Sequence, residues 1–381
     1  MIEKIAPIAK KISSSRLFKI AATIAIAGLV LLVLPAIIFV SSCGSAQSNF
    51  HPVNDPASAE LQKIESSIPG YVRTEETTYL TYPEWYLVFN PQEYGSFLAH
   101  NKPSHFPYFG SIGQFWSGYC QVYGITKKHY PFNAGDHLVE AVIGTSFTVE
   151  YAAKGIYENT VGRISEFFAG DKQTQEDIYA AKIAQEYGAF VPTDPWYAFP
   201  FVKAFVGVWK DTDFWGPHMA RKIERKFFLS AEYGVKAIYA KIIGFGTHAT
   251  YGIADTEIYA HASGNAAVLD NPKVRKVREL ADHSFIITVP HYQGFTDTVP
   301  SLAQQGLAFS DVAGSDEMLM TVVAPKDWKY DLQAGSELFS MPIIIDSAFK
   351  RVAIQVPIKS MSSMLEQLRS EHILVEHLFD Y

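Results

Sequence analysis

The chain has 381 residues, enough for two domains of ordinary size with a hydrophobic core in each. Its 39 acidic and 32 basic residues give a net charge of −7. A general nucleic-acid-binding protein normally carries a basic excess, so that class is not expected. Cys43 and Cys120 are the two cysteines, which excludes a framework of several disulfides and a zinc site of the paired CxxC type. An exported protein of this kind is expected to rely on its core, without disulfides.

An uncharged apolar run occupies positions 20–40, which at about 1.5 Å per residue is long enough to cross a hydrocarbon layer of roughly 30 Å. Basic residues are frequent in positions 1–19, and no Lys or Arg follows the run until Lys63. The positive-inside rule therefore predicts a cytoplasmic basic segment at 1–19, a single-pass signal anchor, and an extracytoplasmic location for the rest. A protein of the cell envelope, in a bacterial periplasm or at a cell surface, is expected.

The end of the same run allows an alternative anchor. Ser41, Ser42, Cys43 and Gly44 resemble a bacterial lipoprotein cleavage box, in which small residues surround a cysteine. Cleavage before Cys43 would leave the mature chain attached through acyl chains on that residue. Secretory hydrophobic regions usually run about 7–15 residues, shorter than this one, which favours an uncleaved helix. Both alternatives predict membrane attachment through the N-terminal segment.

Residues 41–57 are small and polar and are predicted to be a linker. Residues 58–280 are predicted to form a helix-rich domain, because helix-capping signals recur along them. Its longest predicted helices run from His137 to Ala169 and from Pro217 to Ile243. The second helix carries a basic cluster, expected on the solvated face of an ordinary packed helix, with contact to anionic lipid as the alternative. This cluster consists of Arg221, Lys222, Arg225 and Lys226.

After residue 280 the apolar pattern changes to the alternation that is typical of strands. Residues 281–381 are predicted to contain strand–helix–strand twice, separated by hairpins, and no internal repeat of fixed period is detected. This order suggests a ferredoxin-like α+β sandwich built on split β-α-β units. The predicted fold class is therefore α+β, with an N-terminal membrane helix, a helix-rich middle domain and a C-terminal ferredoxin-like sandwich. The predicted strands are 285–290, 307–312, 318–323, 338–345, 351–358 and 373–379, and the predicted helices are 295–305 and 360–369.

A short glycine motif raises the question of nucleotide binding. Gly244, Gly246 and Ala249 match the GxGxxA fingerprint, and Asp270 follows at a distance near that of a ribose-binding acid. The fingerprint requires a strand before the first glycine, whereas the preceding residues continue the pattern of a helix. Two glycines that end a long helix are therefore the favoured interpretation, and no cofactor is predicted.

Glu257 and His261 are the candidate metal ligands. Their spacing of four would place both on one face of a helix, where they could bind a divalent metal. The segment from Thr256 to Ala262 also alternates as a strand would, and no HExxH motif supports the pair. A metal site is therefore not predicted.

His137, Glu140 and Glu150 are the candidate catalytic residues, because they lie on the long helix among apolar residues. A buried glutamate has a raised pKa and could act as a general acid or base. Ion pairs or hydrogen bonds to neighbouring helices are the alternative. The sequence contains no GxSxG elbow, P-loop or CxxCH motif.

Two functional hypotheses follow. The favoured one is a non-catalytic interaction or ligand-binding module with a protein or small-molecule partner that the sequence does not identify. The other is an enzyme that acts on an apolar or lipid-like substrate with Glu140 or Glu150 as acid or base. Convergence of these two glutamates on an open cleft would favour the enzyme, and their pairing with Lys or Arg in a closed core would favour the module.

Overall fold

The computed structural model describes residues 43, 50–53, 58–74, 76–170, 172–250, 256–331 and 334–380, with backbone alone at 246–250. This part of the chain is α+β, with a helical region followed by two four-stranded antiparallel sheets. None of its helices is long and apolar enough to cross a membrane. For this part of the chain, that finding contradicts the description as a single-pass membrane protein. Positions 20–40, on which the membrane-helix prediction falls, lie outside the described residues.

The helical region confirms the two longest predicted helices. One turn of π-helix at Glu158–Gly162 interrupts the first of them, and the second extends past its predicted end at Ile243. Thr174 and Asp177 form a capping box at the start of another helix. The helices are α1 (Ala59–Ser67), α2 (Thr77–Leu80), α3 (Tyr82–Leu98), α4 (Tyr108–His129), α5 (Ala134–Tyr157), α6 (Arg163–Ala169), α7 (Gln175–Phe190), α8 (Phe201–Lys210) and α9 (Met219–Thr250).

A disulfide joins Cys43 to Cys120 of α4, with 5.2 Å between the Cα atoms. The expectation of a chain without disulfides is therefore wrong. Spacing along the sequence could not reveal the pair, because the two cysteines are 77 residues apart. The bond also bears on the lipoprotein alternative. A lipid on Cys43 and a disulfide from Cys43 exclude each other, because each uses the same sulfur atom.

The strands and helices predicted from Phe285 onward are confirmed within a few residues at their ends. Two further strands precede residue 281, the predicted start of the α+β domain, so the first sheet reaches back into the segment predicted to be helix-rich. Along the chain these elements are β1 (Glu257–Gly264), β2 (Arg275–Glu279), β3 (Phe285–Pro290), α10 (Gln293–Gln304), β4 (Leu307–Val312), β5 (Glu317–Pro325), β6 (Ser336–Ile343), β7 (Asp346–Pro357), α11 (Ile358–Ser370) and β8 (Leu374–Phe379).

The two sheets repeat one topology. The first has strand order β2-β3-β1-β4 and the second β6-β7-β5-β8, and all neighbouring strands are antiparallel. In each, the two strands that the helix connects flank the unit's first strand, which is a split β-α-β arrangement. The helices cross between units, because α10 packs against β8 and α11 against β4. The repeat is one of topology, and the search for a fixed sequence period missed it.

Helix α3 joins the helical region to the second sheet. Trp85 stacks on His377 of β8 with 3.4 Å between ring centroids. The guanidinium of Arg351 on β7 donates to Glu93 of α3 at 2.9 Å and to Glu376 of β8 at 2.6 Å. Since Arg351 is 2% exposed, this ion pair lies inside the junction. The two regions therefore pack as one body through α3.

Candidate interaction surface

The buried and the exposed faces of helix α9 are the reverse of those expected. The predicted solvated basic face is wrong, because none of its four basic residues is more than 4% exposed. The apolar positions Ile223 and Phe227, by contrast, are 54% and 69% exposed. Amphipathic helices normally bury the apolar stripe and solvate the charged one. The buried basic residues are Arg221, Lys222, Arg225 and Lys226.

Acidic residues from α6, α7 and the π-turn explain why these cations lie inside. The Arg225 guanidinium donates to Glu158 at 2.7 Å, and both side chains are at most 1% exposed. Arg221 donates to Asp177 at 2.7 Å. These two arginines hold the pKa of Asp177 below its ordinary value, against the burial that raises it. Buried charges are stable when each is paired in this way.

A second set of ion pairs joins α5 to α9. The ammonium of Lys154 lies 2.7 Å from a carboxylate oxygen of Glu232, and that of Lys236 lies 2.9 Å from Glu150. Burial lowers the pKa of Lys154, but Glu232 and neighbouring groups outweigh it, so that the pKa is raised well above its ordinary value. The pairs also fix which sides of α5 and α9 face each other. Their opposite sides are left outward.

These outward sides are apolar, and we call them the outer face. Besides α5 and α9 it includes α6, which packs against α9. Each of its members is more than half exposed. Soluble monomers rarely expose so many large apolar side chains on adjoining helices. The outer face consists of Val149, Ile156, Ile164, Phe167, Phe168, Ile223, Phe227, Val235, Ile238, Ile242 and Phe245.

The size of the outer face can be estimated from these exposures. A Phe side chain presents about 150–250 Å², so the four phenylalanines together leave on the order of 500 Å² of apolar surface uncovered. The branched aliphatic residues raise the total to roughly 1,000 Å² on the same scale. The largest apolar patch of a typical monomer is about 300–600 Å². The ion pairs place the apolar side of α5 and that of α9 on opposite sides of the helix pair, so this total is the sum of separate exposed surfaces and not the area of one patch.

The predicted catalytic residues do not converge. Glu150 forms the ion pair with Lys236, whereas Glu140 is 1% exposed and pairs with none of the described Lys or Arg residues. Burial raises the pKa of Glu140 well above its ordinary value, and the nearby Glu84 and Asp136 raise it further. Burial likewise raises the pKa of Glu84 to about 7. Because Glu140 is enclosed in this way, a substrate has no path to its carboxyl group.

His137 is held by a neighbouring aromatic residue. Its Nδ1 lies 3.0 Å from the hydroxyl of Tyr119, and its ring stacks on Phe132 at 4.7 Å. Burial lowers the pKa of His137. The residue therefore belongs to the packing between α4 and α5.

The candidate metal ligands lie on a strand, β1, and are both engaged. Glu257 accepts from the Arg275 guanidinium at 2.6 Å and from the Thr288 hydroxyl at 2.8 Å. His261 lies 2.7 Å from each of two serine hydroxyls. Within the described residues, no group of three His, Cys, Asp or Glu side chains could hold a metal ion. Glu257 and His261 therefore take part in hydrogen bonds between side chains of the first sheet.

The glycine motif lies within a helix. Helix α9 continues through Gly244 and Gly246 to Thr250, so no strand leads into the first glycine. Asp270 ends a short 3₁₀ turn, Ala266–Asp270. The strand–turn–helix that a dinucleotide fingerprint requires is therefore not formed by these residues.

Sequence reasoning missed two buried polar clusters near the junction of the two regions. Glu317 is 3% exposed and accepts hydrogen bonds from the hydroxyls of Tyr79 and Tyr130, each at 2.7 Å, and from the Gln355 amide at 2.6 Å. These partners are distant in sequence, and no motif links them. With the backbone N–H of Val53 at 3.2 Å, four neutral donors satisfy the carboxylate, which makes this cluster a structural one.

The second cluster joins the loop before α10 to β8. Nδ1 of His291 lies 2.7 Å from Asp380, which also accepts from the backbone N–H of Tyr292 at 3.1 Å. Burial lowers the pKa of the adjacent His377 well below its ordinary value, and His291 lowers it further. Because all of these side chains are buried, they hold the C-terminal strand in place and do not face a substrate.

No family model, no curated protein and no solved structure matches the chain. Relatives therefore give no support to the cell-envelope description, which rested on the anchor alone. The exposed apolar residues of α9 could have been recognised from one signal. Their spacing marks an apolar stripe, but the stripe was assigned to the core, because that is where such stripes normally lie.

Proposed function

We propose that this chain is an interaction module whose outer face is covered by a protein partner. The observation that carries the proposal is the inverted polarity of α9, with its basic residues paired inside and its apolar stripe outside. In water this arrangement is unfavourable on both sides, since apolar surface is exposed and charges are desolvated. A partner that covers the outer face removes the first cost.

The enzyme hypothesis has less support. Glu150 is neutralised by Lys236, and Glu140 is enclosed among α3, α4 and α5. By the criterion set from the sequence, the two glutamates would have to converge on an open cleft to favour the enzyme, and they do not: Glu150 is paired with Lys236, whereas Glu140 is buried and pairs with none of the described Lys or Arg residues. A small-molecule ligand is also less favoured than a protein, because the exposed apolar surface is convex helix surface and ligands prefer concave sites.

We also propose that the C-terminal region is a ferredoxin-like α+β sandwich in the broad sense. The split β-α-β unit in each sheet supports this assignment. Each unit departs from the ferredoxin-like order in one respect. Its first two strands are joined without an α-helix, for example by the 3₁₀ turn Ala266–Asp270 between β1 and β2.

An extracytoplasmic location is part of the proposal. It is supported by the Cys43–Cys120 disulfide, because such bonds persist in oxidising compartments and are rare in the cytosol. Thiol trapping in intact cells tests it. Full protection of both cysteines from alkylation before reduction is expected, and free thiols in the folded protein would contradict the location.

The proposed covering of the outer face can be tested by site-specific labelling. With Cys43 and Cys120 bonded, Ile238→Cys adds a free thiol on the outer face. In a native extract we expect maleimide to label this thiol at least tenfold more slowly than the thiol of Lys182→Cys, whose native side chain is 65% exposed on α7. After denaturation both should react equally. Equal labelling in the native extract would refute the proposal.

A further inference from the structure

Four polar side chains of the first sheet form one hydrogen-bonded series that ends in a carboxylate. On β1, His261 has its Nδ1 2.7 Å from the hydroxyl of Ser310 on β4 and its Nε2 2.7 Å from the hydroxyl of Ser284. The Ser284 hydroxyl in turn donates to Asp282 at 2.6 Å. A hydroxyl, an imidazole and an acid in this order can supply a nucleophile, a general base and a group that orients the base.

The acid fixes the direction of each proton in the series. Hydrogen bonds from Ser284 hold the pKa of Asp282 below its ordinary value, so Asp282 is a carboxylate at neutral pH and can only accept. The hydroxyl proton of Ser284 goes to this carboxylate, and the Ser284 oxygen therefore accepts from Nε2–H of His261. Burial lowers the pKa of His261, although Asp282 acts in the opposite direction, and the ring is neutral at pH 7. Its Nδ1 is then an acceptor for the hydroxyl of Ser310.

The backbone of β4 is irregular at Ser310. Asp311 pairs with His261 of β1, and the next pair joins Phe309 to Ala262. Ser310 is therefore the extra residue of a β-bulge. Bulges re-aim a side chain and are over-represented next to active sites. Here the Ser310 hydroxyl lies closer to the ring nitrogen of His261, at 2.7 Å, than to the carbonyl oxygen of the same residue, at 3.4 Å.

The Ser310 hydroxyl is open to solvent on one side. Ser310 and His261 are half-buried, and Asp282 is exposed. Tyr259 lies on the same face of β1 as His261, about 7 Å along the strand, because side chains alternate between the two faces. Its ring stacks on Tyr71 and is itself half-buried. The ring therefore offers an apolar surface beside the hydroxyl.

We infer that Ser310 is the nucleophile of a hydrolytic site with His261 as its general base, and that the substrates are carboxylic esters with an apolar acyl group. Ser284 and Asp282 are positioning residues, since they hold His261 in the tautomer that accepts the Ser310 proton. The inference goes beyond the proposed function, because the site lies on the first sheet and uses no residue of the outer face.

The reaction consists of two acyl transfers. In the first, the Ser310 oxygen bonds to the carbonyl carbon of the ester while its proton passes to Nδ1 of His261. The bond from that carbon to the alcohol oxygen breaks, and the alcohol leaves with the proton. In the second, His261 takes a proton from a water molecule whose oxygen bonds to the acyl carbon. The Ser310 oxygen then leaves with this proton, and the carboxylic acid is released.

Labelling of the purified full chain with an alkyl fluorophosphonate tests the nucleophile. The attacking oxygen bonds to phosphorus as fluoride leaves, and peptide mass spectrometry locates the adduct, which we expect on Ser310. His261→Gln should slow labelling at least 100-fold, since general-base catalysis contributes about 10²–10⁴-fold. Ser362→Ala is the matched control and should label at the wild-type rate. Ser362 is half-buried like Ser310, but its hydroxyl donates to the backbone carbonyl of Leu307 at 3.0 Å.

Asp282→Ala tests the positioning residues. Without the carboxylate, the Ser284 hydroxyl is free to donate to Nε2 of His261, and the ring proton moves to Nδ1. We expect labelling of Ser310 to slow at least tenfold. Nitrogen NMR of histidine-labelled protein should show Nε2 protonated in the wild type and Nδ1 protonated in the variant, with the His261 signals assigned by their loss in His261→Gln. A purely structural role for Asp282 would not exchange the two nitrogens.

Three results would overturn the inference. No adduct on Ser310 in the folded wild type would show that its hydroxyl is not activated. A His261→Gln variant that labels at the wild-type rate would show that the ring is not the base. A wild type that hydrolyses 4-nitrophenyl butyrate no faster than Ser310→Ala would show that the serine does not carry out turnover. Each of these results leaves the labelling of Ile238→Cys unaffected, so the proposed function is judged separately.

Discussion

The buried ion pair between Arg225 and Glu158 gives the sharpest test of the polarity inversion. Arg225→Met removes the guanidinium but keeps much of the side chain's length and apolar contact. Glu158 is fully buried, and the substitution leaves its carboxylate without the cation 2.7 Å away. Breaking a buried pair by removing one partner costs about 3–5 kcal/mol. We therefore expect the free energy of unfolding, measured by urea denaturation at pH 7.5, to fall by that amount.

The dependence on pH identifies the cause. Burial raises the pKa of Glu158, and Arg225 acts in the opposite direction. Without Arg225 the folded-state pKa rises further above the unfolded value. The variant's penalty is therefore fully present at high pH and disappears as pH falls through that raised pKa, where Glu158 becomes neutral. A loss of stability that is the same at pH 5 and pH 7.5 would indicate a packing defect.

Two controls complete the experiment. Arg225→Met combined with Glu158→Met removes both charges, and buried pairs replaced by apolar residues are often neutral or stabilised. The double variant should therefore recover most of the loss. Lys182→Met breaks an exposed pair with Glu186 and should cost less than about 1 kcal/mol. If Arg225→Met alone costs less than about 1 kcal/mol, the charges are solvated in solution and the proposed inversion is wrong.

Three further predictions concern other buried groups. Burial raises the pKa of Asp311 from 3.8 to about 7, so its contribution to stability is present below pH 3.8 and is lost as pH rises to 7. Asp311→Asn should remove this dependence, which is worth about 4 kcal/mol across that range, as measured by urea denaturation at several pH values. Cys120→Ser removes the disulfide that closes the 77-residue loop to Cys43, and it should lower the free energy of unfolding by about 4 kcal/mol. The intact mass of the wild type, measured before and after reduction, checks that it carries the bond and no acyl group. Glu140→Gln should raise the free energy of unfolding more at pH 8 than at pH 5. The pKa of Glu140 is raised in the folded state, so the wild type loses stability as pH rises, and the glutamine variant does not have this loss. An equal gain in stability at the two pH values would contradict this prediction.

Local patterns were sufficient for the strands and helices of the C-terminal region. The segment Phe285–Pro290 is apolar and β-branched, and it forms β3 with the predicted ends. The pairing of strands was beyond these patterns, because β1 joins β3 and β4 across intervening chain. The topological repeat was missed for the same reason. Two units can share strand order without sharing residues, since register depends on alternation and not on identity.

The contacts of the candidate site residues could not be predicted from local patterns, because they are made with segments that are distant in the sequence. Glu150 faces Lys236 of α9, and Glu140 lies near Glu84 of α3. A spacing of ten along one helix cannot tell which neighbour each carboxyl meets. The disulfide of Cys43 is a contact of the same kind, between residues far apart in the chain.

The orientation of α9 could not be predicted from the periodicity of its sequence. The spacing of Ile223, Phe227, Ile238 and Ile242 defines an apolar stripe, and that of Arg221 and Arg225 defines a basic one. Periodicity divides a helix into two faces, but it does not say which face is inside. That choice depends on what the rest of the chain offers, and here Glu158, Glu176 and Asp177 offer carboxylates to the basic side. Once those pairs form, the apolar stripe must face outward. The ion pairs and the exposed stripe are therefore one feature: pairing makes the buried charges consistent with a stable protein, and the same pairing leaves the apolar side of α9 outward.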